Sequence, residues 1–145
     1  MELIGWRSYS GGLGMARLLE MISIVDDDGF VREATKSLFR SLGYGAMTFA
    51  SAEEFLQSNQ VDDTSCLITD MQMPGLSGIE LQSLLIARGY RTPMIFITAS
   101  VEEKTRARAL KAGAIAFLTK PLNVDHLVEY LHTAHTNRKM AIVEA

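Results

Sequence analysis

The sequence predicts an α/β fold: a doubly wound, five-stranded parallel sheet with helices on both faces. Three observations lead there. Short apolar runs alternate with helical apolar patterns five times over about 120 residues, the signature of repeated strand–helix units. The central runs, Cys66-Leu67-Ile68 and Met94-Ile95-Phe96-Ile97, are continuously apolar, as strands covered on both faces are. Right-handed crossovers then limit the connections to a doubly wound arrangement.

Residues 1–20 lack this regularity. Gly5, Gly11, Gly12 and Gly14 interrupt any period, so 1–20 reads as a flexible N-terminal extension. The folded domain is expected over 21–140, with 141–145 as a C-terminal tail. Met21-Ile22-Ser23-Ile24-Val25 is the first strand and runs into Asp26-Asp27-Asp28. The next helix carries Phe30, Ala34, Leu38 and Leu42 at helical spacing, with Val31 in a second row and Gly43 as its C-cap. Residues 45–49 form a weaker second strand. Ser51-Ala52-Glu53-Glu54 has the capping-box pattern and opens a short helix with Phe55 and Leu56 inward. Cys66 to Thr69 is the third strand; it delivers Asp70, and Pro74-Gly75 breaks the chain behind it.

Ser77-Gly78-Ile79-Glu80 is a second capping box. Ile79, Leu81, Leu84, Leu85 and Ile86 form a wide apolar face that ends at Gly89. Pro93 to Thr98 is the fourth strand. Ser100 to Glu103 has a third capping-box pattern, and Ala107, Leu110 and Ala112 line the helix behind it. Ile115 to Thr119 is the fifth strand, followed by Lys120-Pro121. The last helix starts near Asn123, with Val124, Leu127, Val128, Leu131 and Ala134 at helical spacing.

Composition excludes several function classes. A net charge of -3 implies no basic face, so direct nucleic-acid binding is disfavoured. The single cysteine, Cys66, rules out an intrachain disulfide, reads as a small buried residue and fits a reducing cytoplasm. No apolar run approaches the ~18 residues needed to span a bilayer. The N-terminus lacks the pattern of a secretory signal.

The chemistry stands at the strand ends. Asp26 and Asp27 follow strand one, Asp70 strand three, Thr98 strand four and Lys120 strand five, and open α/β sheets bind their ligands at that edge. Carboxylates brought together repel one another and resist ionising together. A hard divalent cation with oxygen ligands, Mg²⁺ or Mn²⁺, removes that penalty. Lys120 adds a point charge suited to a phosphate or phosphorylated carboxylate, and Thr98 offers a hydroxyl. The set fits phosphoryl transfer, where positioning and charge neutralisation do most of the catalysis, with Asp70 as the nucleophile that forms an acyl phosphate. Each residue also has a plainer reading: a turn aspartate, a helix cap at Asp28, a strand threonine, a core Phe117, a solvated lysine. His132 and His135 share a helix face but lack a third ligand.

Ile24-Val25-Asp26-Asp27-Asp28, Asp70-Met71-Gln72-Met73-Pro74-Gly75-Leu76-Ser77-Gly78, Ile97-Thr98-Ala99 and Phe117-Leu118-Thr119-Lys120-Pro121 together resemble, in order and spacing, the receiver domains of two-component response regulators. The likeness is to the FixJ-type subgroup and covers about residues 21–138. It implies a CheY-like, flavodoxin-like sheet of order 2-1-3-4-5. It implies that Asp70 accepts a phosphoryl group from a histidine kinase or phosphotransfer protein. Asp26, Asp27, Asp70 and the backbone carbonyl of Gln72 would hold Mg²⁺. Thr98 would be the switch hydroxyl, Phe117 the switch aromatic, and Lys120 a contact to the phosphoryl group, its bond to Pro121 usually being cis in the family. Gln72 and Ser100 match positions that tune dephosphorylation. The domain would be a signalling phosphoacceptor in the cytoplasm, not a membrane protein, that catalyses its own phosphotransfer and dephosphorylation. Its output would pass to a protein partner or an output domain through the face made by the last two helices and the fifth strand. FixJ-type receivers often dimerise there once phosphorylated. The chain ends soon after the last helical pattern, so it reads as a single-domain regulator or a piece of a larger one.

Two rivals stand beside this reading. Asp26-Asp27-Asp28-Gly29 is similar to the Asp-x-Asp-Gly opening of haloacid-dehalogenase-type phosphatases, with Asp26 as nucleophile. Phe30 stands where a Thr or Val is expected, no acidic pair follows Lys120 apart from the single Asp125, and Asp70 to Gly78 is left unexplained. The other rival is an interaction module that works without phosphorylation, against which the intact set of Asp26, Asp27, Asp70, Thr98 and Lys120 argues.

Overall fold

The computed structural model describes residues 20–144, with side chains up to Ala134. The N-terminal extension read from the sequence therefore lies, up to residue 19, outside the described residues. Five strands alternate with five helices: β1 Met21–Val25, α1 Gly29–Ser41, β2 Gly45–Phe49, α2 Ala52–Gln57, β3 Cys66–Asp70, α3 Gly78–Ala87, β4 Met94–Thr98, α4 Glu103–Lys111, β5 Ala116–Thr119 and α5 Val124–Glu144. All strands are parallel, in the order β2-β1-β3-β4-β5. Chain order reverses between β1 and β3, and the topological crevice opens there at the carboxyl ends.

Side chains alternate across the sheet and divide the core in two. Val25, Leu67 and Phe96 point to one face with Phe49, Phe55, Leu81, Leu85 and Ala109, beneath α2, α3 and α4. Ile24, Ile68, Ile95 and Ile97 point to the other with Phe39, Leu127 and Leu131, beneath α1 and α5. β3 and β4 are buried along their whole length, whereas the edge strands β2 and β5 are only partly covered. Every fully buried large side chain among these stabilises the fold by roughly 1.5–3 kcal/mol relative to exposure.

Several helix faces differ from the sequence expectation. In α1, Phe30 is 93% exposed and Ala34 is also outside; the covered stripe runs through Val31, Thr35, Leu38, Phe39 and Leu42. Thr35 can face the core because its hydroxyl donates to the Val31 carbonyl at 2.7 Å, so no buried polar group is left unpaired. In α4 the buried residue is Ala109, not Ala107 or Ala112. Ser100 does not cap that helix: α4 begins after Glu102, with no side-chain cap bond, and the Ser100 backbone closes a turn with the Thr98 hydroxyl. Ile86 on α3 is half exposed and Val124 on α5 is exposed. On α3 the polar Gln82 goes inside, donating Nε2–H to the Ala109 carbonyl at 3.1 Å and tying α3 to α4. The capping box at Ser77 and Glu80 is complete; at Ser51 the hydroxyl accepts from the Glu54 N–H at 3.0 Å. α5 continues through residues 141–144, assigned from the sequence to a tail.

Candidate functional site

Two aspartates reach the crevice by different routes. Asp26 follows β1 and is 2% exposed; Asp70 closes β3 and is 8% exposed. Asp26 is fixed on both sides: its N–H donates to the Phe49 carbonyl at 3.1 Å, and its Oδ1 accepts the Asp28 N–H at 2.9 Å. Asp28 itself caps α1, accepting from the N–H groups of Phe30 and Val31, as expected of an Asp at that position. Asp27 between them faces solvent. Carboxylate oxygens of Asp26, Asp27 and Asp70 all lie within 4.8 Å of one another.

Lys120 bridges the two buried carboxylates. Its Nζ lies 3.0 Å from Asp70 Oδ2 and 3.3 Å from Asp26 Oδ2. β5 brings it there: the Lys120 N–H donates to the Thr98 carbonyl at 2.8 Å, and the Lys120–Pro121 bond is cis. Burial raises the pKa of Asp26 above the ordinary carboxylate range, assisted by the neighbouring charge of Asp70; the Asp28 N–H and the Lys120 ammonium oppose this only in part. For Lys120 burial pulls the other way, but its hydrogen bond to Asp70 and the charges of Asp26 and Asp70 outweigh it, leaving a firmly protonated ammonium. Three carboxylates outnumber the one ammonium that bridges two of them. An all-oxygen cluster with that excess and one solvent-facing member fits a hard divalent cation such as Mg²⁺.

The loop behind Asp70 is pinned. Asp70 Oδ1 accepts the Gln72 N–H at 3.2 Å, and the Met71 N–H donates to the Ile97 carbonyl at 3.0 Å. Gly78 opens α3 against the end of β3, donating its N–H to the Met71 carbonyl at 2.9 Å. A Cβ at this position would fall 2.6 Å from the Asp70 carbonyl oxygen, so the close approach requires glycine. Thr98, buried at the end of β4, donates its hydroxyl to the Ser100 carbonyl at 2.9 Å. Phe117 pairs with Phe96 across the β4–β5 ladder, their ring centroids 6.0 Å apart, and is half-buried.

A family model for the response regulator receiver domain matches residues 22–132. The chain belongs to the response regulator receiver domain family. Nodulation protein W of Bradyrhizobium diazoefficiens is 40% identical over 124 residues, covering 86% of this chain and 54% of that protein. Response regulator protein TmoT of Ectopseudomonas mendocina is 40% identical over 131 residues, covering 88% and 60%. Among solved structures, response regulator StyR superposes with a TM-score of 0.75 at 39% identity, covering 86% of this chain and 65% of that one. FixJ-N gives 0.71 at 32%, covering 79% and 92%. The chain spans about half the length of the curated relatives it matches.

As a receiver domain the chain has the doubly wound sheet that the family's motifs imply, and the match leaves no place for the phosphatase reading of residues 26–29. It is a signalling protein of the two-component type. The structure brings together Asp26, Asp27, Asp70 and Lys120 and sets Thr98 one strand away. Gln72 and Ser100 present exposed side chains at the rim. No helix among the described residues is long and apolar enough to cross a membrane. Two neighbours of the site escaped the sequence reading. Arg32 on α1 donates from its guanidinium to the Asp26 carbonyl at 2.7 Å. Glu53 on α2 accepts the Leu76 N–H at 3.1 Å. Neither contact follows a local spacing rule, and Glu53 was legible only as part of a capping pattern.

Proposed function

We propose that Asp70 is the phosphoacceptor of this receiver domain, taking a phosphoryl group from the phosphohistidine of a histidine kinase or phosphotransfer protein. One observation carries the reading: a nearly buried carboxylate at a strand end, held on one oxygen by an ammonium and on the other by a backbone N–H. Those bonds aim the carboxylate before a donor arrives, which is how a site lowers a barrier without reorganising. An Asp70 oxygen attacks phosphorus, the new P–O bond forms as the bond to the donor's imidazole nitrogen breaks, and the result is an acyl phosphate. Lys120 stays protonated beside it and stabilises the transferred group's negative charge. Asp26, Asp27, Asp70 and the backbone carbonyl of Gln72 would hold Mg²⁺ or Mn²⁺, which supplies charge neutralisation for the phosphoryl oxygens.

The Thr98 hydroxyl, now spent on Ser100, is the group free to turn toward the phosphoryl oxygens. Phe117 is half-buried, packed against the core, and would follow it inward, biasing the face made by α4, β5 and α5. That face carries output to a protein partner, an output domain or a second copy. Gln72 and Ser100 flank the approach of the hydrolytic water and set the phosphate's lifetime, so the domain catalyses its own phosphorylation and dephosphorylation. A donor helix would lie in the apolar groove beside Lys120, about 510 Å³ in volume and lined by Val31, Ala34, Leu38, Pro121, Leu122 and Val124. The receiver unit starts at residue 21, where β1 begins. A cytoplasmic setting goes with such a donor. Intact-mass measurement with acetyl phosphate and Mg²⁺ tests the assignment: one phosphoryl group is gained by the wild type and none by Asp70→Asn. A wild type that stays unmodified while still binding partners would favour the phosphorylation-independent module.

A further inference from the structure

We propose that Glu53 is a positioning residue for the phosphoacceptor site, latching the loop that carries the Gln72 carbonyl; the inference rests on the reading of Asp70 as phosphoacceptor. Glu53 sits in the first turn of α2, on the far side of β1 in the strand order, yet its Oε2 accepts the Leu76 N–H across 23 residues. This bond reaches the loop between β3 and α3 from outside. At the loop's start the Met71 N–H meets the Ile97 carbonyl on β4 at 3.0 Å, and the other pins come from its own ends: Asp70 holds Gln72, and Glu80 holds the Ser77 N–H at 2.9 Å.

The fit around the carboxylate is close. Gly75 has φ +80°, and a Cβ built there would run into Glu53 Oε2. The second oxygen, Oε1, is buried without a hydrogen-bond partner among the described residues. A buried carboxylate oxygen left unpaired is costly, so its own satisfaction does not explain where Glu53 sits. The loop contact does. Releasing Leu76 frees the far end of a loop, just before the Ser77 cap, whose first residues place both Asp70 Oδ1 and the Gln72 carbonyl. The cation requirement is therefore the property that Glu53 sets, while Asp70 and Lys120 keep their places on the strands.

The test uses the full chain with acetyl phosphate, following acyl-phosphate formation by intact mass while Mg²⁺ is titrated. Glu53→Ala should raise the Mg²⁺ concentration for half-maximal rate on the order of tenfold, the effect of losing a hydrogen bond to a charged acceptor. The rate at saturating Mg²⁺ should stay within about twofold of wild type, because the nucleophile and Lys120 are untouched. Glu53→Gln, whose amide oxygen still accepts from Leu76, should recover most of the shift. Gly75→Ala crowds Glu53 Oε2 and strains a backbone at φ +80°, and should raise the Mg²⁺ requirement too. If Glu53→Ala loses cooperative thermal unfolding, Glu53→Asp, whose carboxylate falls one methylene short of Leu76, carries the test: a shift supports the latch and no shift overturns it. A phosphorylated wild type with Glu53→Ala at wild-type Mg²⁺ dependence overturns the role of Glu53. A wild type that is never phosphorylated overturns the reading of Asp70 instead.

Discussion

Gly78→Ala adds one methyl group at the point where α3 leaves the loop behind Asp70. Its Cβ would stand 2.6 Å from the Asp70 carbonyl oxygen, 3.1 Å from Met71 Cα and 3.1 Å from a Phe96 ring carbon. Ordinary C···O contacts begin near ~3.3 Å, so the overlap with a backbone atom is roughly 0.7 Å. Two of the three neighbours are backbone and the third belongs to a fully buried ring, so none can swing aside. Overpacking of this kind costs about 1–3 kcal/mol, while Ala in place of Gly returns up to ~1 kcal/mol of helix propensity. A net loss of about 1–2 kcal/mol lowers Tm by roughly 5 °C in a domain this size. The displacement falls on Asp70, the proposed phosphoacceptor, so acyl-phosphate formation should slow several-fold as well. Gly89→Ala is the control: with φ +85° and nothing within 4 Å of its Cβ, it strains the backbone far from the site, lowers Tm and leaves the phosphorylation rate alone. A Gly78→Ala protein with wild-type Tm and rate would refute the claim that helix–strand approach at residue 78 sets the geometry of Asp70.

Two further outcomes follow from ionisation. Burial raises the pKa of Asp26 in the folded state, so the fold favours its protonated form; that contribution is present below the unfolded carboxylate pKa and is lost as pH rises through the folded one. Asp26→Asn should therefore melt above wild type at pH 7 in the presence of a chelator, with the gap closing as pH falls toward 4; a gap that widens in acid contradicts the sign. Burial pushes the Cys66 thiol up to about 12, so a thiol reagent at pH 8 should leave the native protein unlabelled and modify one thiol per chain in denaturant. Rapid labelling of the folded protein would show that β3 is less enclosed than the structure has it.

Where sequence and structure part, the reason is orientation. The period of α1 was visible, but its phase turned on Thr35, a residue that counts as polar until its hydroxyl is seen to close on the Val31 carbonyl. In α4 Ala107 and Ala112 gave as strong an apolar signal as Ala109; the sheet and Gln82 chose Ala109. Ser100 matched a cap pattern because Glu103 lies three residues on, and lost that role to the Thr98 turn.

By itself the sequence determined the α/β class, the five strands and the residues at their ends, because those depend on local apolar period and on where each run stops. The family's motifs added the strand order and the roles of Asp26, Asp27, Asp70, Thr98 and Lys120 as expectations. Tertiary structure alone decided the distances: 3.0 and 3.3 Å from one ammonium to two carboxylates that stand 44 residues apart in the chain. It alone placed Arg32 behind Asp26 and Glu53 against Leu76. Such contacts depend on how α1 and α2 pack on the sheet, and no spacing along the chain encodes that.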